Sequence, residues 1–206
     1  MSHAAVAVQP QRQPRVLADL VSRTRVRDAA LVLGAALLTA ACAQISIPLP
    51  GDPVPITGQT FAVLLTGAAL GANRGALGQL LYVALGFAGL PFYADGAHGP
   101  HVIWGATGGY LVGFVIAGWV IGRMAEARLD RSPLKALPLF TVGSLIIFAV
   151  GVPWLAVSAD VSLGKAIDLG FTPFIPGGIV KALLAAGLLP TAWRLVGRSE
   201  RDDDAS

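Results

Sequence analysis

Long apolar runs with almost no charge dominate this chain and restrict its fold more than any motif does. They extend from Ala29 to Ile47, Thr57 to Ala72, Gly75 to Leu90, Gly105 to Met124, Leu134 to Val157 and Phe171 to Val196. A helix rises 1.5 Å per residue, so about 20 mostly apolar residues cross the ~30 Å hydrocarbon core of a bilayer. The second and third runs are short for a full span. Only Ala72, Asn73 and Arg74 join them, which predicts a tight helical hairpin. Any irregular backbone near membrane depth must face protein or water, because lipid cannot hydrogen-bond it. The charged share is 13%, against about 25% in a soluble domain that must cover its core with polar surface. An ordinary water-soluble enzyme is therefore excluded. The expectation is an all-α integral membrane protein of six transmembrane helices. A mostly disordered N-terminal tail would occupy 1–28, the six-helix membrane domain 29–196, and a charged C-terminal tail 197–206.

The basic residues set the orientation. All of the Lys and Arg except Lys165 and Lys181 fall before the first run, between the second and third, between the fourth and fifth, or at and beyond the end of the sixth. Basic connections stay on the cytoplasmic side, so both termini are expected in the cytoplasm. The remaining three connections then face outward. The formal charge of +3 needs no nucleic acid to explain it, since no aromatics interleave with the arginines. Cys42 is the single cysteine, which excludes an intrachain disulfide and a cysteine-built metal site. The run ending at Cys42 also loosely fits a lipid-attachment signal, but more than twenty residues precede it and five further apolar runs follow.

Unusual residues collect in the three outward connections. The first holds Pro48, Pro50, Pro53 and Pro55; proline fixes φ and removes a backbone donor, so this segment is stiff and extended. The second, Leu90 to Trp104, mixes Tyr93 and Trp104 with Asp95, His98 and His101. The third carries Asp160 and Asp168 beyond Trp154. A site built from these loops would open outward. Lys181 is the sharpest single residue: a lysine deep in a membrane helix costs about 2.5 to 3.5 kcal/mol on insertion scales and usually faces a partner or a cavity. Snorkelling to the interface is the bland alternative. Tyr82, Tyr93, Tyr110, Phe92, Trp104 and Trp154 are available as pocket walls with polar handles, or as interface anchors. His98 and His101 lack a cysteine or carboxylate cluster at ligand spacing, so they read as solvated histidines and no metal is expected. Gly105, Gly109 and Gly113 repeat a small-xxx-small spacing that lets helices approach closely, as do Ala36 and Ala40, and Ala30 and Gly34. No Gly-Lys-Ser/Thr phosphate loop occurs anywhere. Lys181 has no intramembrane acid or base beside it in sequence, so no catalytic pair is expected.

Several segments in order resemble one family. Ile45-Ser46-Ile47-Pro48, Val54 to Thr60, Gly75-Ala76-Leu77 leading to Leu85 through Pro91, Gly105 to Tyr110, and Pro173 to Lys181 together are similar to the BioY family. The resemblance spans about Ala30 to Leu189. It implies the substrate-capturing S component of an energy-coupling-factor importer in the bacterial plasma membrane, surrounded by lipid, that binds biotin from outside and hydrolyses nothing. The family's partners are a transmembrane T component and two ABC ATPases; no cofactor is implied. By position Lys181 matches the family's sixth-helix lysine and Gln59 the first-loop glutamine. Asp95 falls in a loop with a polar ligand contact, and Tyr110 ends the glycine motif. Tyr93, Tyr82 and Trp154 complete the candidate ligand set. Ala36 and Ala40 match the small face expected to dock on the T component. One departure is specific: the family commonly has Asp three residues before the lysine, where this chain has Gly178. A stand-alone secondary transporter of another small carboxylic acid or vitamin is the alternative.

Overall fold

A computed structural model of the chain describes residues 15–20 and 24–203. The rest of the two expected tails, at 1–14, 21–23 and 204–206, lies outside the described residues. The helices begin where capping chemistry allows. Thr24 accepts a hydrogen bond from the Arg27 N–H at 3.1 Å and starts α1, Arg25–Ala43, satisfying one of the orphan donors of a first turn. Two residues on each side of the proline-rich connection then pair as β1, Ser46–Ile47, and β2, Ile56–Thr57, antiparallel with Ser46 opposite Thr57. Next come α2, Gln59–Leu70, and α3, Ala72–Phe87. Gly71 alone separates them, at φ +84°, a conformation that glycine adopts without a Cβ penalty. Further on are α4, Pro100–Trp104; α5, Gly108–Glu126; α6, Pro133–Ser158; α7, Leu163–Gly170; and α8, Phe174–Asp203.

Among the described residues four helices are long and apolar enough to cross a bilayer: α1, α5, α6 and α8 over Phe174–Val196. The six-span expectation would need α2 and α3 as well. With 12 and 16 residues, α2 and α3 reach only about 18 and 24 Å at 1.5 Å per residue. They pack as the expected hairpin, and their closeness to α5 comes from missing side chains. A Cβ on Gly75 would lie 2.9 Å from the Gly67 Cα, and one on Gly118 3.3 Å from the Gly75 carbonyl oxygen. Glu126 accepts the N–H of Ala72 at 2.9 Å and so caps α3 from α5. The glycine spacing on α5 serves packing as expected: a Cβ on Gly109 would overlap the Cβ of Trp154, and one on Gly113 would come 3.0 Å from the Ile147 Cα on α6.

The connections gather at two ends. At one end the 3-10 turn Leu17–Leu20 docks through Val16 and Ala18, both buried. Arg74 reaches Asp19 at 3.0 Å and Asp28 at 3.3 Å. The Trp193 indole donates to Asp130 at 2.6 Å, while the Arg131 guanidinium lies 3.9 Å from the same ring. Burial pushes the Asp130 carboxyl up from the usual aspartate range. Residues expected in the N-terminal tail thus join the core, and α8 continues past residue 196. At the other end lie the proline-rich, Tyr93-bearing and α7 connections.

Thr39, Thr66 and Gln79 form a buried polar cluster inside this bundle. Gln79 Nε2 donates to Thr39 Oγ1 at 3.2 Å and to Thr66 Oγ1 at 3.1 Å, tying α1, α2 and α3 without leaving polar atoms to lipid. Ala36 and Ala40 need correcting as a docking face. They are 0% and 7% exposed and belong to the chain's own core with Val63, Tyr82 and Tyr93. The exposed side of α1 holds Leu33, Gly34, Leu37 and Leu38 instead. The physical reason is that a four-residue spacing marks a close helix contact but not whether the partner lies inside or outside the chain. Ala36→Val is accordingly expected to cost about 1 kcal/mol of stability by overpacking, read as a lowered unfolding temperature in detergent.

Candidate ligand site

The loop-bearing end encloses a cavity of 330 Å³, near the lower limit for small-molecule sites and suited to a compact ligand. Its walls are apolar and aromatic, with Tyr93, Tyr110, Leu111 and Phe114 among them. Pro53, Val54 and Pro55 form one side, where fixed φ keeps the segment from collapsing into the space. Polar groups are few: Thr57, Gln59, Asp95, His101 and Thr107. Asp95 and His101 are exposed, whereas Gln59, Tyr93 and Tyr110 are buried, so the first pair marks the mouth and the others the interior.

Several of these residues are held by contacts that sequence spacing did not reveal. Tyr93 donates its hydroxyl to the Val83 carbonyl at 2.7 Å and packs edge-on against Tyr82, with ring centroids 5.7 Å apart. A Cβ on Gly86 would overlap the Tyr93 ring. Burial pushes the Tyr93 phenol up to about 12, so it is a neutral group at physiological pH. Tyr110 donates to the Gly170 carbonyl at 2.9 Å, joining α5 to the end of α7. Gln59 donates to the Tyr82 hydroxyl and accepts from Thr57 Oγ1 at 2.7 Å. Asp95 stands at φ +56° and accepts from Ser46 Oγ at 3.1 Å, while Gln44 donates to the Tyr93 carbonyl at 3.1 Å. The proline-rich and Tyr93-bearing connections are thereby tied together.

Of the candidate residues, Gln59, Tyr93, Asp95 and Tyr110 line the cavity. Tyr82 stands behind Gln59 and Tyr93, supporting both. Trp154 does not line it: its indole donates to the Gly105 carbonyl at 2.9 Å, and its ring stacks on Trp104, centroids 6.4 Å apart. Lys181 lies one residue behind the wall. Its ammonium donates to the Thr57 carbonyl and, at 3.0 Å, to Thr60 Oγ1, and it forms no salt bridge among the described residues. Position 178, one turn earlier, is open, with nothing within 4 Å of a Cβ placed there. Sequence reasoning missed Thr60 and set His101 aside. Their signals were position, Thr60 inside the proline-to-helix motif and His101 in the aromatic connection. Among the described residues no group of three or more His, Cys, Asp or Glu could hold a metal.

Among the described residues, four helices long and apolar enough to cross a bilayer, the shorter pair α2 and α3, and a small loop-covered cavity at one end define a multi-pass membrane protein with a small-molecule pocket. The chain belongs to the BioY family, whose profile matches residues 13–198. It is 37% identical to the biotin transporter BioY2 of Lactococcus lactis subsp. cremoris over 75% of this chain and 82% of that protein. It is 41% identical to the biotin transporter BioY of Thermotoga maritima, over 70% and 82% of the two chains. The BioY of Rhodobacter capsulatus is 42% identical over 74% and 85%. In fold the chain is similar to the crystal structure of the S component for biotin from an ECF-type ABC transporter. The TM-score is 0.76 at 23% identity, over 84% of this chain and 95% of that one.

Proposed function

We propose that this chain is the substrate-capture component of an energy-coupling importer in the plasma membrane, binding biotin from outside. In this reading α2 and α3 complete six membrane segments and both termini are cytoplasmic. A transmembrane T component and two ABC ATPases supply the energy. The observation that carries the reading is the cavity: apolar and aromatic walls for a compact bicyclic ring, Gln59 and Asp95 for urea donors and acceptor, and Lys181 behind Thr57. Its end of the bundle is the one without the basic connections, which supports outward opening. The groups placed at Lys181 are Thr57, Thr60 and the free Cys42 thiol, and in this reading they serve binding while ATP hydrolysis falls to the partner ATPases.

Equilibrium binding of radiolabelled biotin to the purified chain, followed by uptake in cells with and without the partner ATPases, tests this reading. Saturable binding together with uptake that requires the partners is expected. Uptake of a different small carboxylic acid without them would favour stand-alone carriage. Trp154→Phe keeps the stack on Trp104 but deletes the bond to Gly105. It is expected to cost about 1 kcal/mol of stability and to leave biotin affinity within about twofold. Thermal unfolding and binding of the same preparation check both halves.

A further inference from the structure

We propose that His101 is a specificity-determining residue of the cavity: its imidazolium pairs with the terminal carboxylate of the ligand and selects anionic over neutral ligands. This rests on the biotin reading above.

Among the side chains lining the cavity, His101 is the one that can carry positive charge; Asp95 is the one carboxylate. Lys181 lies outside the lining and spends two of its N–H groups on Thr57 and Thr60. His98, the neighbouring imidazole, is occupied too, its Nδ1 donating to the Gly96 carbonyl at 3.2 Å. By contrast the His101 ring makes no hydrogen bond with any described residue. It folds toward Gly99, where a Cβ would sit 3.4 Å from Nδ1. Gly99 has φ +87°, so the turn that places His101 at the cavity favours a glycine there.

The depth of the cavity sets the ligand's direction. An apolar ring system gains most by entering the interior formed by Tyr93, Tyr110, Leu111 and Phe114. A carboxylate loses least by staying near water, at the mouth where His101 is exposed. There a charge-assisted bond from an imidazolium favours a carboxylate over a carboxamide of the same shape. The pairing depends on protonation, since only the imidazolium form of the ring brings a positive charge to the carboxylate. The ionisable groups that share the cavity lining with His101 are Tyr93, Asp95 and Tyr110, and His98 lies on the same connection. The second imidazole of this connection, His98, is the competing source of any pH dependence.

The test compares biotin with its neutral carboxamide, biotinamide, on the purified full-length chain at pH 6 and pH 8. Biotin is expected to bind at least threefold more tightly at pH 6, while biotinamide binds equally at both. His101→Gln should remove the pH dependence and hold biotin at the weaker value; His98→Gln should leave it in place. A biotin affinity independent of pH overturns the proposal. So does the same dependence in biotinamide or in His101→Gln. If neither ligand binds the unaltered chain at either pH, the biotin reading itself fails. Retained biotin binding without these differences overturns the role of His101 alone.

Discussion

Lys181→Ala is expected to weaken biotin binding more than tenfold, about 1.4 kcal/mol. Two losses add. The ammonium is a half-buried donor to the Thr57 carbonyl and Thr60 hydroxyl, and removing it leaves a carbonyl at the cavity wall without that partner. The third N–H and the charge itself are also lost, in a helix where an isolated charge is kept only with a partner or cavity beside it. Lys181→Met, which keeps the apolar stem, should lose as much. Thr60→Val should lose less, because Thr57 still holds the ammonium. Equilibrium binding in detergent and in lipid checks the series. Unchanged affinity of Lys181→Ala in both would end the assignment of Lys181 to the ligand site.

Apolar runs made most of the helices legible, whereas their bounds are set by local features that hydropathy does not show. Thr24, Gly71 and the Ser132-Pro133 pair mark starts and stops whose chemistry is local. The helix α7 was not legible as such, although Ser162 accepts from the Lys165 N–H at 3.3 Å. Eight residues within a connection are too few for apolar length to stand out. At the site, Gln59 came from the family resemblance, as did the ligand roles of Asp95 and Tyr110, while Tyr93 stood out as an aromatic in an outer connection; all four line the cavity. Whether a given residue faces a cavity or an interface depends on helix rotation, and periodicity does not supply it. Trp154 and Tyr82 have the same composition signal as Tyr93, yet one is spent on Gly105 and the other supports the wall from behind. Ala36 and Ala40 face inward for the same reason, since small residues fit a contact within the chain as well as one between chains.

Gly178→Asp is expected to tighten biotin binding about tenfold. The space is free: no atom lies within 4 Å of a Cβ at 178, while the neighbouring position 177 meets only Ile56 at 3.9 Å. No steric cost therefore offsets the new side chain. The position is one turn before Lys181, so a carboxylate there can lean on the ammonium and accept a urea N–H from a ligand in the cavity. A hydrogen bond to a charged group contributes about 1.5 to 3 kcal/mol, and burying the added charge cancels part of it. The sign of the result carries the meaning. If affinity falls, a carboxylate already serves the urea, and Asp95 is the one in the lining; two like charges sharing one ligand would repel. Combining Gly178→Asp with Asp95→Asn in a double-mutant cycle then recovers the loss if the two compete, and leaves it if they do not. A change below about twofold in Gly178→Asp would mean that position 178 faces away from the ligand, and that Lys181 acts on biotin only by holding Thr57 and Thr60 in the cavity wall.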